Sequence, residues 1–314
     1  MITFRPKSSE DRMNNKTPNL LIVGVNKSGT TSLFNYLASH PEICGSKIKE
    51  TFYFTPLVWG EELSDISDYH SQFDQCADQQ YRMEATPRYF FGGDKVAKAI
   101  KEVCGDAKII ILLREPISRL FSFYQFKKRT LDLPKDIDFN TYIQNCLSAS
   151  ESEMQASPNK VLFGIKESQY SDQIDSWIKV IGEEKIKFIF QDDLLESPQS
   201  LLNELAEWLQ LDSTPFEDLS FARENKAQSY KNAGIQKFAR KGFKKFESFW
   251  TANPKIKRSI ASIYYAINGS AKKEKMTVQE IAQLQEHFHP YNQKLKEQLI
   301  EIGYTQMPEW LNQG

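Results

Sequence analysis

The chain has 314 residues, of which 40% are hydrophobic and 26% charged, and its formal net charge is −1. This composition is typical of a globular enzyme, and the net charge gives no chain-wide basic surface for nucleic acid. No run of about 20 apolar residues is present, so we expect no membrane-spanning helix.

The cysteines and the first residues bear on the cellular compartment. The four cysteines (Cys44, Cys76, Cys104 and Cys146) show neither a C-x-x-C pair nor metal-ligand spacing, so we expect reduced, mostly buried thiols. Residues 1–18 are polar and lack the apolar core of a signal peptide, which predicts a disordered leader. Together these features predict a cytoplasmic protein.

Three short apolar runs are predicted to be buried parallel strands: NLLIVGV (19–25), KIIILL (108–113) and KIKFIF (185–190). Four stretches carry helix signals. These are the apolar spacing of TSLFNYLASH before Pro41, Pro116 in EPISRLFSFYQF, Ser197 ahead of a helix through Trp208, and the capping-box pair Thr277 and Glu280. Strands that alternate with helices form βαβ units. We therefore predict one α/β domain over 19–314, with a central parallel β-sheet flanked by helices on both faces.

Residues 231–275 differ from the rest of the chain because they hold twelve Lys or Arg residues against two acids. On a helical wheel, Ile235, Phe238 and Trp250 fall on one side and Lys237 and Lys244 on the other. We predict a basic amphipathic helical insertion at about 232–275. A packed helix with a solvated basic face, a mobile lid and a membrane-surface helix all fit this pattern.

The loop GVNKSGTTS (24–32) lies between the first strand and the first helix. Its backbone N–H groups and the hydroxyls of Thr30, Thr31 and Ser32 predict a phosphate or sulfate site, with Lys27 as a point charge. A nucleotide hydrolase would carry lysine directly after Gly29, where this chain has Thr30. The missing Lys-Thr pair also removes the position that holds magnesium, so we expect no metal.

A second candidate site follows the strand KIIILL. Arg114 leaves the carboxyl end of that strand, and Ser122 lies on the next predicted helix. Ligands of open α/β sheets bind at this edge, and an arginine fork with a hydroxyl suits a phosphate dianion. The alternative is an ordinary ion pair between Arg114 and Glu115 or Asp106.

Taken together, KSGTTSL and LLREPISRLFSFY resemble the sulfotransferases that use 3′-phosphoadenosine 5′-phosphosulfate (PAPS). The resemblance implies the P-loop NTPase-like sulfotransferase fold. It also implies that the first loop, including Ser28 and Gly29, holds the 5′-phosphosulfate, and that Arg114 and Ser122 hold the 3′-phosphate.

Further segments resemble the heparan sulfate N- and 3-O-sulfotransferases. They are KETFYF (49–54), EATPRYF (84–90) and ENKAQSYKNAG (224–234). The first implies that Glu50 is the catalytic base. The last implies a cofactor-binding loop with Lys231, where that family usually has arginine. Phe52 and Thr55 stand where the 3-O-sulfotransferases carry a histidine and an aspartate for the sugar, which favours a smaller or less polar acceptor.

The resemblance implies transfer of a sulfuryl group from PAPS to a hydroxyl or amine of a small-molecule or sugar acceptor, by in-line displacement that leaves the 3′,5′-bisphosphate PAP. By analogy with loose phosphoryl transfer, Lys27 would stabilise the bridging oxygen, and Lys49 would stabilise either the sulfuryl oxygens or Glu50. His70 is the rival base. We expect Glu84 and Tyr89 in the pocket wall, and Tyr170 against the cofactor or acceptor.

Two other functions fit parts of the sequence. A P-loop kinase or nucleotide hydrolase would bind ATP with magnesium. A non-catalytic protein on the same fold would bind PAP, a polyanion or a membrane surface through the basic segment. Without the family pattern, Glu50 would be a surface glutamate paired with Lys47 or Lys49. The sequence leaves the oligomeric state and the identity of the acceptor open.

Overall fold

The computed structural model describes residues 17–221, 229–230, 269–270 and 274–312, without the side chains of 158–159, 229–230 and 269–270. The predicted leader lies outside this range except for its last two residues. Lys231 and almost all of the basic insertion also lie outside it. None of the helices in the described part of the chain is long and apolar enough to cross a membrane.

The chain divides into two compact units. The first consists of residues 1–115, 170–222 and 291–314, and the second of residues 116–169 and 223–290. The domain predicted over 19–314 includes both units, and its extent stays a prediction.

A five-stranded parallel sheet forms the centre of the first unit, in the order β2-β3-β1-β4-β5. Its strands are β1 (Leu20–Gly24), β2 (Ile43–Gly45), β3 (Tyr81–Ala85), β4 (Lys108–Leu113) and β5 (Ile186–Phe190). The chain leaves β1 towards β2 and leaves β4 in the opposite direction, towards β5. The boundary between β1 and β4 is therefore the switch point of the sheet, where open α/β folds bind their ligands.

Helices connect these strands and extend beyond them. Those of the first unit are α1 (Thr30–Leu37), α2 (Thr55–Val58), α3 (Ile66–Ser71), α4 (Gly93–Cys104), α8 (Ser171–Ile181), α9 (Gln191–Glu196), α10 (Pro198–Leu209) and α12 (Glu309–Asn312). Those of the second unit are α5 (Pro116–Arg129), α6 (Phe139–Ser148) and α7 (Glu151–Ala156). The long helix α11 (Val278–Glu301) begins in the second unit and ends in the first.

Side-chain alternation along the strands gives the first unit a core on each face of the sheet. Leu21 and Val23 of β1 join one cluster, together with residues of α4, α8 and the end of α11. Leu20 and Ile22 join the other cluster, together with residues of α1 and α10. Every residue of β1 is buried, as expected for a strand covered on both faces.

The outer edge of the sheet at β5 is covered by the C-terminal segment of the same unit. The backbone N–H of Phe188 donates a hydrogen bond of 2.8 Å to the Tyr304 hydroxyl. The Trp310 ring packs edge-on against Phe190, with 6.2 Å between ring centroids. These contacts satisfy a backbone group that a neighbouring strand would otherwise bind.

The second unit has its own aromatic-rich core and a buried arginine. Arg119 of α5 is fully buried, and its Nε donates a 2.7 Å hydrogen bond to Ser168 Oγ. Its Nη1 lies 3.5 Å from Glu167 Oε2, and its Nη2 donates to the Gly164 carbonyl. The second arginine of REPISR is thus a structural residue of this unit, since a buried guanidinium needs such partners.

The long apolar runs predicted the strands correctly, whereas the short helix-capping motifs were correct only in part. The three predicted strands and the parallel sheet are confirmed. The capping box is confirmed as well, because the Thr277 N–H donates to Glu280 Oε2 at 2.7 Å and the Glu280 N–H to Thr277 Oγ1 at 3.2 Å. Ser197 precedes α10, but its side chain makes no capping hydrogen bond.

A disulfide joins Cys44 to Cys76, so the prediction of reduced thiols is wrong for this pair. The two residues are 32 positions apart, and no local spacing motif marks them. Cys44 lies on β2, and Cys76 lies in the segment that leads to β3. The bond therefore ties the edge strand to the following connection. Cys104 and Cys146 are free and buried, as predicted.

We expect this disulfide to stabilise the fold by restricting the unfolded chain. For a loop of this length, the chain-entropy estimate is about 3–4 kcal/mol at 25 °C. The variant Cys76→Ser should lose that much free energy of unfolding in a urea titration. Dithiothreitol should bring the unmodified protein down to the level of the variant and leave the variant itself unchanged. If the urea midpoint of the unmodified protein is the same with and without dithiothreitol, this assignment is wrong.

Candidate functional site

The loop from Val25 to Gly29 turns β1 directly into α1. Lys27 and Gly29 both have positive φ, 76° and 104°. At Gly29 a side chain would be strained by the backbone, and its Cβ would lie 3.2 Å from Leu194 Cδ2. Ser28 is fully buried, and its Oγ donates a 2.6 Å hydrogen bond to the Val25 carbonyl. The loop is therefore a tight turn with a fixed conformation.

The first turn of α1 has no side-chain cap. Gly29 occupies the N-cap position and offers no oxygen to the N–H groups that follow it. Thr30 is buried, and Thr31 and Ser32 are half-buried. Free N–H groups at the positive end of a helix favour an anion. An anion held here would also meet the hydroxyls of this turn.

Two side chains from neighbouring strand ends hold the loop from outside. The Arg114 Nη1 donates a 2.8 Å hydrogen bond to the Lys27 carbonyl, and the Gln191 Nε2 donates one of 2.6 Å to the Ser28 carbonyl. Arg114 follows β4 and Gln191 follows β5. The carboxyl edge of the sheet thus converges on the loop, with an arginine at the switch point between β1 and β4.

Asp106, one of the acidic partners considered for Arg114, pairs instead with Lys185 at 2.7 Å. Gln191 was not predicted, although its place directly after the strand KIKFIF is the signal that could have identified it.

Lys49 connects the loop to the segment KETFYF. Its Nζ lies 3.5 Å from Thr30 Oγ1 and 3.2 Å from Glu50 Oε1. Burial lowers the pKa of Lys49, and the nearby carboxyls of Glu50 and Glu84 partly oppose that effect. The Glu50 side chain is 40% exposed. A carboxylate open to solvent therefore lies beside a mostly buried ammonium at the start of α1.

Both interpretations of Glu50 agree with this ion pair. Lys47, the other lysine considered, pairs with Asp74 at 3.3 Å.

Phe52 projects outward next to this pair. Its side chain is 51% exposed, and its backbone has the left-handed φ of 57°. Ile48 is exposed to a similar extent, 52%. The two residues after Phe52, Tyr53 and Phe54, are buried in the core. In the chain, an exposed apolar residue thus precedes Lys49 and another closely follows Glu50.

Glu84 and Tyr89, which we expected in the pocket wall, are fully buried behind the segment KETFYF. Glu84 Oε2 accepts a 2.6 Å hydrogen bond from Thr51 Oγ1, and the Tyr89 hydroxyl lies 3.2 Å from the same Oγ1. Burial raises the pKa of Glu84 to about 7, although hydrogen bonds from Thr51 and neighbouring hydroxyls oppose it. Neither side chain has surface with which to contact an acceptor.

The remaining predicted site residues are Tyr170, His70, Ser122 and Lys231. Tyr170 is 1% exposed, and its hydroxyl donates a 2.8 Å hydrogen bond to the Arg114 carbonyl. His70 lies in the last turn of α3. Ser122 is half-buried in the second turn of α5, within the second unit. Lys231 lies outside the described residues.

Metal ligands are not grouped anywhere in the part of the chain that the structure describes: no three His, Cys, Asp or Glu residues lie close enough to hold an ion. At the carboxyl edge of the sheet, the negative charge of Glu50 is accompanied by three positive ones, those of Lys27, Lys49 and Arg114. They suit an anionic ligand with more than one acidic group.

Curated relatives match this chain in sequence over part of their length. The chain is 28% identical over 206 residues to the bifunctional heparan sulfate N-deacetylase/N-sulfotransferase 1 of Caenorhabditis briggsae, covering 64% of this chain and 23% of that protein. It is 25% identical over 208 residues to the human heparan sulfate glucosamine 3-O-sulfotransferase 3A1, covering 64% and 46% respectively. The chain thus spans less than half of either relative.

A solved structure and a family model cover more of the chain. The crystal structure of a sulfotransferase from Alicyclobacillus acidocaldarius has the same fold, with a TM-score of 0.67 and 20% identity over 94% of this chain and 98% of the other. The family model described as the sulfotransferase domain matches residues 17–299. That range contains β1, the loop, the segment KETFYF and Arg114, and the chain therefore belongs to the sulfotransferase domain family.

Proposed function

We propose that this chain transfers a sulfuryl group from PAPS to a hydroxyl or amine of an acceptor, with Glu50 as general base. The observation that carries this proposal is the position of Lys49, whose ammonium lies within 3.5 Å of Thr30 and 3.2 Å of Glu50. It brings a solvent-open carboxylate to the uncapped start of α1. A proton acceptor and an anion site thus lie beside each other.

The residues at the carboxyl edge of the sheet fit the anionic parts of PAPS. The N–H groups and hydroxyls of Thr30, Thr31 and Ser32 would hold the 5′-phosphosulfate, with Lys27, Ser28 and Gly29 shaping the loop. Arg114, Ser122 and Lys231 would bind the 3′-phosphate, with Lys231 and Ser122 resting on the family resemblance alone. The burial of Lys49 supports the same proposal, because a partly desolvated ammonium gains from a bound anion.

PAPS supplies the sulfuryl group, whose transfer moves negative charge towards the 5′-phosphate. Lys27 would stabilise that charge on the leaving side, and Lys49 would stabilise the sulfuryl oxygens. Glu50 would accept the proton of the attacking hydroxyl or amine. Its 40% exposure leaves room for an acceptor to reach it. The main work of the protein is therefore orientation and charge stabilisation.

We further propose that the acceptor carries an apolar portion next to the group that is sulfated. Phe52 and Ile48 expose about half of their surface on either side of the reactive pair. Water contact with such side chains is unfavourable, and an apolar part of the acceptor would remove it. The heparan sulfate enzymes named above act on a polyanionic sugar, and these side chains favour a less polar molecule.

The role of Arg114 is tested by comparing two nucleotides. The variant Arg114→Ala should weaken PAP binding about tenfold to a hundredfold, the value of one charge-assisted contact of about 1.5–3 kcal/mol, and change adenosine 5′-phosphate binding much less. Calorimetric titration measures both, with Arg82→Ala on β3 as the matched control. An equal loss for both nucleotides would mean that Arg114 acts only by supporting the Lys27 carbonyl.

The role of Glu50 is tested by separating turnover from cofactor binding. Glu50→Gln should lower kcat about 10²- to 10⁴-fold, because the amide cannot accept the acceptor's proton, and leave PAP affinity nearly unchanged. Glu61→Gln, an exposed glutamate of the following loop, is the control. Lys27→Ala should lower both quantities. If Glu50→Gln keeps normal turnover and His70→Ala abolishes it, His70 is the base.

The apolar acceptor site is tested with Phe52→Asn, since asparagine tolerates the left-handed backbone. An acceptor is first found by incubating the protein with PAPS and a panel of apolar and polar alcohols and amines, read by mass. The variant should raise KM for an apolar acceptor about tenfold or more, the worth of burying a phenyl ring. Leu195→Asn is the control. A variant with unchanged KM would place the acceptor elsewhere.

A further inference from the structure

Glu84 lies in an unusual place for a carboxyl group. Alternation along β3 directs Tyr81, Met83 and Ala85 into one core cluster and Glu84 towards the opposite face. There it is fully buried, next to Tyr69, Tyr89 and Cys104. A carboxyl in such surroundings is costly unless it serves a partner. Its partner at 2.6 Å is the hydroxyl of Thr51, the residue directly after Glu50.

Several hydrogen bonds around Glu84 join residues 49–54 to residues 84–89. The Phe52 N–H donates to Thr86 Oγ1 at 3.4 Å, and the Phe54 N–H donates to the Tyr89 hydroxyl at 3.1 Å. Further towards the N-terminus, the Ala85 N–H donates to the Lys49 carbonyl at 3.3 Å. Lys49, Thr51, Phe52 and Phe54 are thus all anchored to residues 84–89. Glu50 lies between two anchored neighbours, Lys49 and Thr51, and its side chain is 40% exposed.

Electrostatics couples the same carboxyl to Lys49. Lys49 is the cation that interacts with Glu84, and the negative charge of Glu84 raises the pKa of Lys49 against the effect of burial. The other titratable groups near Glu84 are Tyr69, Tyr89 and Cys104. Burial raises the pKa of each of them, so they remain neutral around pH 7. An ionised Glu84 therefore favours the charged form of Lys49.

We propose that Glu84, acting through the Thr51 hydroxyl, is a positioning residue that holds Lys49 and Glu50 in place for sulfuryl transfer. The inference rests on the proposed function of that pair. It differs from the wall role expected from the sequence, because Glu84 touches neither cofactor nor acceptor. A small displacement of reacting groups lowers the rate about 10²-fold. Loss of a hydrogen bond that fixes Lys49 and Glu50 should therefore lower the turnover rate.

The Thr51 hydroxyl offers the cleanest test. Thr51→Val removes the hydrogen bond to Glu84 and keeps the shape of the side chain. Thr141→Val is the control, because Thr141 is an exposed residue of α6 in the second unit. Thr51→Val should lower kcat about tenfold to a hundredfold with PAP affinity within about threefold, whereas Thr51→Ser should restore turnover. Equal kcat in Thr51→Val and Thr141→Val would overturn the proposal.

A second readout does not depend on turnover. Amide hydrogen exchange at Phe52 and Phe54 should be faster in Thr51→Val than in Thr141→Val, because the hydroxyl network that anchors both amides is broken. Unchanged exchange at both amides would also overturn the proposal. If the unmodified protein makes no sulfated product from PAPS and binds no PAP, the proposed function is wrong. The exchange data would still show whether the Thr51 hydroxyl anchors the two amides.

As pH rises, the ionisation of Glu84 should change the stability of the fold and the turnover in opposite directions. Its pKa of about 7 in the fold lies above the usual value of 4.5. The neutral form therefore stabilises the fold fully below about pH 4.5, and this contribution is lost as pH rises through about 7. Turnover should change the other way and rise through about pH 7, because the ionised carboxyl accepts the Thr51 hydrogen bond more strongly and supports the charge of Lys49.

Glu84→Gln should remove both dependences. As pH rises from about 4.5 to 7, the melting temperature of Glu84→Gln should increase relative to that of the unmodified protein. The kcat of the variant should show no step near pH 7. A pH dependence of kcat that comes from Glu50 should be the same in both proteins. Identical pH profiles of kcat in the two proteins would overturn the proposal. Should Glu84→Gln fail to fold, Thr51→Val still decides the question.

Discussion

The start of α1 is the constraint on which the rest of the candidate site depends. The parallel sheet delivers β1 to its carboxyl edge, and the Gly29 turn sends the chain at once into a helix whose first N–H groups have no cap. Backbone donors in that position need an anion or water. Arg114 and Gln191, which follow the neighbouring strands β4 and β5, donate hydrogen bonds to the loop carbonyls. The topology of the sheet thus brings the uncapped helix start and the neighbouring strand ends together at the candidate site.

A second level of organisation joins two segments that are distant in sequence. The residues KETFYF carry Lys49 and Glu50, and residues 84–89 hold the same segment through hydrogen bonds from its buried side. The buried members, Glu84 and Tyr89, contribute hydrogen bonds to Thr51 and Phe54. The family resemblance of both segments therefore has one physical basis, because neither is positioned without the other. Lys49 then links this unit to the loop at Thr30.

The sequence predicts the parts of this molecule that depend on long local patterns. The runs at β1, β4 and β5 are continuous and apolar, so the parallel sheet could be predicted, together with Arg114 at a strand end. The strands β2 and β3 could not, because ICG is too short and YRMEA carries charges. The Thr51–Glu84 contact and the Cys44–Cys76 bond join residues 33 and 32 positions apart. Only the three-dimensional fold brings such residues together.

The contact between Tyr304 and Phe188 has a consequence for how copies of this chain can associate. A sheet with an open edge can recruit a further strand from another molecule. At β5 that route is obstructed, because the Tyr304 hydroxyl already takes the Phe188 N–H and Trp310 lies against the neighbouring ring. At the other edge, β2 has only three residues and is tethered through Cys44. Both margins of the sheet therefore resist intermolecular strand pairing.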